Sequence, residues 1–334
     1  MNILLRKLLL MGKCLILPVI FLLTLCPACF QSCIMENLDG CSEYDVVVKV
    51  VDGSGMALTA DTVGVYLFSP DGFERLIATG RNSGYIIHLT GETTLNFGFE
   101  KDIPLTLVAW GNLKQDSLTV PTLVKGQSIE DAMIGLRKFG NYHYSTTDLF
   151  YSKCTTTDTT TDTTTDTATV QAVGARSALE TASDFSLQDT LVLVLNRIVG
   201  AMKVTCKSMD SHFGTDTAAY NLLVHSETNA LNFLADPAGD SSSFCPGLKK
   251  DTIGNYMTPV FNLLPNQSDV PITIELYRKG KLLYSAGKDS QGDNLCVKAD
   301  EQLNVTIEFG GADSQVIISV YVTPWGYISQ DVEL

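Results

Sequence analysis

Three cysteines in the segment CFQSCIMENLDGC, residues 29–41, have the chemistry for a disulfide, a metal site or a lipid attachment. A fourth, Cys26, forms a Cys-x-x-Cys pair with Cys29, but both follow the apolar run Cys14–Leu25. Three basic residues and no acidic residue precede that run. A basic start and a short apolar run are typical of a secretory signal, whereas a membrane-spanning helix needs about 20 apolar residues. We therefore predict that residues 1–32 are a signal peptide, with an uncleaved anchor helix as the alternative.

One of these cysteines is a candidate lipidation site. A bacterial lipoprotein signal ends at a cysteine that follows a small residue, and both Cys29 after Ala28 and Cys33 after Ser32 fit this rule. Cys33 leaves a full-length apolar region before it, so we predict Cys33 as the lipidated residue and keep Cys29 as the alternative. Two or three acyl chains on one residue are enough for stable membrane anchoring.

Five further cysteines are widely spaced along the chain, at Cys41, Cys154, Cys206, Cys245 and Cys296. An odd number leaves at least one of them unpaired or joined to another chain. The wide spacing gives no support for a zinc site. A disulfide among the last three stays open, because the sequence does not select a pair. Cys41 lies directly before the first predicted strand, and we expect it to have a structural role.

No catalytic motif is present. The four histidines, His88, His143, His212 and His225, are scattered, and the chain has no His-Glu-x-x-His, Gly-x-Ser-x-Gly or phosphate-binding loop. The segment DPAGDSSS, residues 236–243, lacks the closing glutamate of a calcium loop. We therefore expect neither an enzyme nor a bound cofactor or metal.

The chain is acidic, with a formal net charge of −14. Removal of the predicted signal takes away three basic residues and no acidic ones, which leaves 20 basic and 37 acidic residues. Nucleic-acid-binding proteins need a basic surface, so the composition argues against a nucleic-acid partner.

Strand patterns dominate the rest of the sequence. Residues 272–286, ITIELYRKGKLLYSA, are predicted to form a hairpin that turns at Lys279-Gly280-Lys281. Helical spacing occurs only in residues 128–139, SIEDAMIGLRKF, where Ser128 is the predicted N-cap. Many short strands between turn signals favour an all-β protein built from β-sandwiches. The other predicted strands are YDVVVKVV (44–51), VGVYLF (63–68), YIIHL (85–89), IPLTLVAW (103–110), DTLVLVLNRIV (189–199), MKVTC (202–206), NVTIEF (304–309) and QVIISVYVTPW (315–325).

A Thr/Asp repeat interrupts the strands. Residues 155–168 contain almost no apolar side chain, so we predict a disordered loop there. Its Asp-Thr pairs make Thr159, Thr163 and Thr167 candidate O-glycosylation sites, since the pattern resembles the sequon of exported Bacteroidota proteins. An insertion without a role is the alternative.

Several segments, in order, resemble one family. The start CIMENLDGCSEYDVVVKV (33–50) is similar to that of the fimbrillin-A-associated anchor proteins of Bacteroidota, the Mfa2/FimB family. The further similar segments are PLTLVAWGN (104–112), TDLFYSK (147–153), LVLVLNRIVGAMKV (191–204) and TPWGYISQDVEL (323–334).

The resemblance implies two transthyretin-like β-sandwich domains in tandem, which we place at residues 33–185 and 186–334. It also implies a lipoprotein at the base of a type V fimbria, exposed on the outer membrane, that holds the shaft and limits its length. Shaft pilins of this kind are cut after an early arginine. Here the first arginine after Cys33 is Arg75, and residues 34–74 have Lys49 as their only basic residue, so we expect the lipid tether to remain.

The expected partners are shaft pilin subunits, bound by strand addition at the first and last strands, around residues 44–51 and 315–325. A surface glycan-binding lipoprotein, a fimbrial tip or accessory adhesin and an exported hydrolase are the alternatives. Glycan binding would use exposed aromatic rings, but the two tryptophans, Trp110 and Trp325, lie in apolar strand patterns and are expected in the core.

Overall fold

The computed structural model describes residues 41–77, 87–90, 92–100, 103–156, 189–214, 220–266, 269–310 and 316–324. Within these ranges the regular structure is almost entirely β, and the single helix, α1, is the short Met209–Phe213. The predicted all-β class is confirmed. None of the helices in the described part of the chain is long and apolar enough to cross a membrane.

The described residues form 24 strands. The first twelve are β1 Cys41–Val50, β2 Thr59–Ser69, β3 Gly72–Ile77, β4 Ile87–Thr90, β5 Glu92–Glu100, β6 Thr106–Gly111, β7 Leu118–Thr119, β8 Met133–Leu136, β9 Lys138–Phe139, β10 Tyr142–His143, β11 Phe150–Thr155 and β12 Asp189–Arg197. The others are β13 Gly200–Lys207, β14 Tyr220–Ser226, β15 Ala230–Asn232, β16 Pro237–Ala238, β17 Ser242–Phe244, β18 Lys249–Lys250, β19 Tyr256–Met257, β20 Phe261–Leu263, β21 Thr273–Arg278, β22 Lys281–Ala286, β23 Glu301–Glu308 and β24 Ile317–Pro324.

Four sheets and one ribbon contain these strands. The largest sheet has the order β3-β2-β6-β11-β12-β1-β5, with β4 beside β2. A six-stranded sheet has the order β18-β19-β13-β23-β24, with β20 beside β13, and a four-stranded sheet has the order β17-β14-β21-β22. A second four-stranded sheet, β16-β15-β8-β7, combines strands from distant parts of the chain, and β9 and β10 form a separate ribbon.

By its contacts, the chain divides into a small unit of residues 1–42 and 98–101 and a large unit of residues 43–97 and 102–334. The small unit contains the beginning of β1 and the end of β5. The large unit contains all the packing described below.

The parallel pair β1–β12 shows how side-chain alternation builds the largest sheet. Val46, Val48 and Val50 of β1 are buried and lie in register with Leu191, Leu193 and Leu195 of β12, which are also buried. Side chains alternate between the two faces of a strand, so a valine or leucine at every second position places one continuous apolar row on one face. The same parallel arrangement recurs between β13 and β23, where Val204 pairs with Val305.

One hydrophobic core runs through the large unit. It includes Val108 and Trp110 of β6 and also Leu222 of β14 and Ile307 of β23, all at most 1% exposed. Phe233, which follows β15, is also fully buried in this core. Its ring lies 5.0 Å from that of Tyr66 in an edge-on arrangement and 5.9 Å from that of Trp110.

The predicted helix over residues 128–139 is wrong. Ser128 does accept the backbone N–H of Glu130, as an N-cap would, but the chain then extends into β8. Ile134 and Leu136 are buried while Met133 is 44% exposed, which is the alternation of a strand. The hydrogen bonds of β8 come from β7 and β15, and β15 lies about a hundred residues further along the chain. Tertiary pairing therefore overrides the local helical spacing.

The predicted hairpin at residues 272–286 is confirmed. Strands β21 and β22 pair from Arg278 opposite Lys281 to Ile274 opposite Ala286, and Lys279 and Gly280 form the two-residue loop. Both loop residues have positive φ, at 48° and 77°, as a type I′ turn requires.

Strand β12, which is predicted to begin the second domain, pairs with β1 and β11 of the largest sheet. Only Ile198 and Val199 separate it from β13, which belongs to the six-stranded sheet. The domain bounds, and the transthyretin-like detail of the sandwiches, stay predictions.

Candidate strand-binding edge

The predicted modification sites lie outside the described residues. This applies to Cys33 and to Thr159, Thr163 and Thr167, as it does to Trp325. Trp110 is 0% exposed and packs against the ring of Tyr151, with the centroids 5.0 Å apart, so its predicted core position is confirmed.

The described cysteines and histidines do not converge on one site. Cys206 is buried, and burial raises the pKa of its thiol to about 12, whereas Cys245 is exposed; both are free thiols. His143 is buried and accepts the backbone N–H of Ser243, and His225 bridges the side chains of two neighbouring strands. Within the ranges that the structure describes, no group of three or more histidine, cysteine, aspartate or glutamate side chains could hold a metal ion.

Of the two strands predicted to contact a partner, the first is not a free edge. Strand β1 lies between β12 and β5, so both sides of its main chain already face a neighbour. A strand with two neighbours has no row of unpaired N–H and C=O groups to offer. The prediction for residues 44–51 is therefore wrong in this respect.

The last strand is an edge. Strand β24 pairs antiparallel with β23 over its whole length, from Ile317 opposite Glu308 to Pro324 opposite Glu301. In the described part of the chain, no strand lies on its other side.

The side chains of β24 become less covered toward its end. Ile318 is 6% exposed and Val320 packs partly buried against the core, but Val322, on the same face, is 51% exposed. On the opposite face, Ile317 and Tyr321 are 50% and 48% exposed. The strand therefore presents apolar area on both faces of its second half.

The loop at Ser290 caps the outward-facing main chain of β24 at Ile318, near the start of the strand. The backbone N–H of Ile318 donates to the hydroxyl of Ser290 at 2.7 Å, and the N–H of Ser290 donates to the carbonyl of Ile318 at 3.1 Å. Both polar groups of Ile318 therefore point away from β23. In an antiparallel ladder the outward-pointing residues alternate, so the N–H and C=O of Val320 and Val322 also point to the free edge.

This geometry suits the addition of a strand. Val320 and Val322 can each exchange two hydrogen bonds with an incoming strand, and Pro324 contributes a carbonyl but no N–H. Main-chain bonds at such an edge supply affinity, and side chains that fill neighbouring pockets supply register. Sequence reasoning located the strand but missed the Ser290 cap, because nothing local indicates that a loop 28 residues upstream reaches it.

An ion cluster around the buried Arg197 lies at the junction between β12 and β13. Arg197 is 6% exposed, and its two terminal nitrogens lie 2.6 Å from Asp300 and 3.1 Å from Asp148. Its guanidinium carbon also lies 5.6 Å from the centroid of the Phe150 ring. Arg197 lies in the segment 191–204 that resembles the family, but its two carboxylate partners are distant in the chain and the sequence does not identify them.

The comparisons with known proteins agree with this architecture. The family described as "Fimbrillin-A associated anchor proteins Mfa1 and Mfa2" matches residues 38–331. Over 113 residues the chain is 26% identical to the major fimbrium anchoring subunit FimB of Porphyromonas gingivalis, a segment that covers 34% of this chain and 36% of that protein. The match therefore spans about a third of the length of this relative.

Two solved structures share the fold. The fimbrial anchor protein Mfa2 from Porphyromonas gingivalis superposes with a TM-score of 0.54 at 17% identity, over 85% of this chain and 98% of that one. A candidate adhesin from Bacteroides ovatus gives a TM-score of 0.55 at 11% identity, over 85% and 96% of the two chains. At these identities the likeness is one of fold alone. The family match, in contrast, extends over most of the chain, and the protein therefore belongs to the family of fimbrillin-A associated anchor proteins.

Proposed function

We propose that this protein is the lipid-tethered base of a type V fimbria and that a shaft pilin adds a strand to the free edge of β24. The observation that carries the proposal is the outward-facing main chain at Val320 and Val322, in a member of an anchor family. Fimbrial association comes from the family, while strand addition and control of shaft length are our proposal.

The expected affinity has two sources. Each new main-chain hydrogen bond contributes about 0.5–1.5 kcal/mol net, so four such bonds alone give a weak complex. The half-exposed side chains of Tyr321 and Val322 supply apolar area that an incoming strand would cover. We therefore expect the side chains to determine which pilin binds and in which register.

The tether is the second part of the proposal. We place the lipid on Cys33 and the protein on the surface of the outer membrane, in two domains with bounds near residue 185. Arg75, the first arginine after Cys33, lies within β3 in register with Leu67 of β2. Cleavage after this residue would cut a paired strand, which supports a chain that keeps its lipid.

Proline substitution tests the edge. Val322→Pro removes an N–H that points away from β23, so the β23–β24 ladder keeps its hydrogen bonds, and proline is tolerated on such edges. We expect the variant to bind sheared fimbriae of the same bacterium about tenfold more weakly, which corresponds to ~1.4 kcal/mol.

Val322→Thr is the matched control, because it keeps the β-branched shape and the N–H. It should bind as the wild type does, and both variants should keep the wild-type circular dichroism spectrum. Equal binding by Val322→Pro and wild type would exclude this edge as the site.

Fractionation and fimbrial shearing of a strain with Cys33→Ala test the tether. We expect the variant to leave the membrane fraction and the fimbriae to appear in the medium. A variant that stays membrane-bound would move the lipid to Cys29 or indicate an uncleaved helix. Release of the protein while fimbriae stay attached would contradict the anchoring role itself. Longer fimbriae in a strain that lacks the protein would support control of shaft length.

The Thr/Asp segment carries a separate proposal. We infer O-glycosylation at Thr159, Thr163 or Thr167, and mass spectrometry of a peptide that spans residues 155–168 tests it. An unmodified mass in protein taken from the native bacterium would contradict it.

A further inference from the structure

The outward-facing main chain of β24 is symmetric about Tyr321. The N–H and C=O groups of Val320 and Val322 point to the free edge, while those of Tyr321 point to β23. A second β24 strand, antiparallel to the first and with its own Tyr321 opposite this one, places Val320 of each copy opposite Val322 of the other. Each of these two pairs can exchange two hydrogen bonds, so the edge is complementary to itself.

The side chains also match in this register. Val320 and Val322 of the two copies lie side by side on the face where Val320 already packs against the core. Tyr321 meets Tyr321 on the opposite face, and Ser319 of one copy meets Thr323 of the other. Aromatic, β-branched and hydroxyl pairs across two strands stabilise antiparallel sheets. The pairing therefore covers Tyr321 and Val322, which are 48% and 51% exposed in the single chain.

Ser290 and Pro324 fix the two ends of this pairing. Ser290 occupies the ladder position beside Ile318, because it bonds to both the N–H and the C=O of that residue, so an incoming strand pairs no further than opposite Ser319. In the symmetric register the residue opposite Ser319 is Thr323, the last before Pro324. Proline has no N–H and ends a ladder, so the cap on one copy and the proline on the other stop the pairing at the same place.

The edge carries no charge that would keep two copies apart. The segment IISVYVTP of β24 contains no charged residue. At the opposite end of the same sheet, β18 consists of Lys249 and Lys250, and such charged edge strands resist pairing with other chains. Repulsion between two copies of β24 therefore comes only from the rest of the chain, whose net charge of −14 is screened by salt.

We propose that β24 pairs with β24 of a second copy of this chain, antiparallel and centred on Tyr321. Main-chain pairing over five residues is small beside the ~1,200 Å² that stable complexes bury at least, so the pair exchanges with single copies. A pilin strand can then replace the second copy at the same edge. This replacement rests on the proposed function, whereas the self-pairing does not.

Disulfide cross-linking tests the register. The two Tyr321 residues form a non-hydrogen-bonded pair, in which the Cα atoms lie about 4.5 Å apart, within the span of a disulfide. The full chain with Tyr321→Cys, purified in detergent and oxidised with diamide, should form a covalent dimer about tenfold faster than the wild type, since the sulfur atoms are held together. The wild type measures the background from the native cysteines, which include the exposed Cys245.

Ile317→Cys is the matched control. Ile317 lies on the same face of β24 as Tyr321 and is 50% exposed. In the symmetric pair the two Ile317 residues lie roughly 27 Å apart, because each is four residues of about 3.4 Å from the centre. This variant should cross-link no faster than the wild type. Equal rates for Tyr321→Cys and Ile317→Cys would overturn the proposal.

Opposite charges at the centre provide a second test. Tyr321→Lys and Tyr321→Glu each bring two like charges face to face, so each variant alone should lose the self-association of the wild type. An equimolar mixture should recover it, because a lysine then faces a glutamate. Analytical ultracentrifugation of the three samples measures the fraction of dimer. A mixture no more dimeric than its two components would contradict a pair centred on Tyr321.

Self-pairing and pilin binding can fail separately. An excess of sheared fimbriae should slow the cross-linking of Tyr321→Cys, because one edge cannot hold two strands at once. Fimbriae that bind without slowing it would place the pilin on another surface and leave the self-pairing intact. If Tyr321→Cys does not cross-link while Tyr321→Lys binds fimbriae as the wild type does, the edge serves the pilin alone and the self-pairing is wrong.

Discussion

The guanidinium of Arg197 lies 2.6 Å from the carboxylate of Asp300, although 103 residues separate them in the chain. Asp148, from the segment before β11, completes the cluster at 3.1 Å. The arginine ends β12, with Ile198 and Val199 between it and β13. At the same junction, the N–H groups of Ile198 and Asp300 donate to the carbonyls of Leu149 and Val199. Side chain and main chain together therefore fix the passage from the largest sheet to the six-stranded sheet.

Loss of Arg197 should destabilise the protein strongly. Arg197→Met leaves two carboxylates without their shared cation. Removal of one partner from a buried ion pair costs about 3–5 kcal/mol, and we expect the lower end of that range because the side chains of Asp148 and Asp300 are 33% and 25% exposed. Arg197→Lys should restore only part of that loss, because one ammonium does not reproduce the fork of the guanidinium. Urea unfolding measures both.

The exposed pair Lys125–Glu74 provides the control, since the Lys125 side chain is 79% exposed and its nitrogen lies 3.0 Å from Glu74. Lys125→Met should change the free energy of unfolding by less than about 1 kcal/mol. If Arg197→Met were no more destabilising than Lys125→Met, the cluster would not hold the junction.

Gly200 should not tolerate a side chain. A Cβ at this position would lie 2.2 Å from the backbone oxygen of Lys298, and backbone atoms cannot move aside cheaply. We expect Gly200→Ala to cost about 1–3 kcal/mol, the usual range for overpacking. Gly135→Ala is the matched control, because a Cβ on this strand glycine has nothing within 4 Å. Urea midpoints that shift equally for the two variants would contradict the steric argument.

Four hairpin loops repeat one geometry. Asp52, Asn232, Asp251 and Asp289 each accept, through one side-chain oxygen, the backbone N–H groups of the residues two and four positions later. The residue three positions later has positive φ in every case. It is glycine in three loops, but in the fourth it is Ala235, with φ 63°.

Ala235→Gly should therefore stabilise the protein. The left-handed conformation costs alanine about 1–2 kcal/mol, while glycine adds about 0.4–1 kcal/mol of unfolded-state entropy, so a net gain of about 0.5 kcal/mol is expected. The reverse change, Gly254→Ala in an equivalent loop with φ 96°, should cost a similar amount or more. Thermal unfolding of the two variants checks the pair, and shifts of the same sign would refute the explanation.

His143 should make the stability depend on pH. Burial lowers the pKa of His143 below its ordinary value of 6.5, and the nearby charge of Lys138 lowers it further. A depressed folded-state pKa means that the unfolded chain binds the proton more readily. The contribution of neutral His143 to the free energy of unfolding is therefore fully present above pH 6.5, and it is lost as the pH falls through the depressed folded-state pKa.

His143→Gln should remove this dependence, because glutamine can still accept the N–H of Ser243 but does not titrate. Urea unfolding between pH 8 and 5 should show a slope for the wild type that is absent from the variant. Three carboxylates have lowered pKa values: Asp52, Asp210 and Asp251. Their effect on the pH dependence of the free energy of unfolding should therefore lie below the range of pH 8 to 5. Parallel curves for the two proteins would contradict the role of His143.

Local chemistry in the sequence determined the all-β class, the strands and the family. Alternation of valine and leucine marks β1 and β12, Lys279-Gly280 marks a hairpin, and Trp110 in an apolar strand indicates a core position. These features depend on a residue and its close neighbours along the chain, so they can be recognised without coordinates.

Tertiary structure decided what depends on distant partners. Residues 128–139 have helical spacing, yet β8 forms because β15 and β7 supply its hydrogen bonds. The free edge at Val320 and Val322 follows from which strands lie beside β24 and which do not. Hydrogen bonds between strands join residues that are far apart in the chain, so only the folded protein determines which main-chain groups are left for a partner.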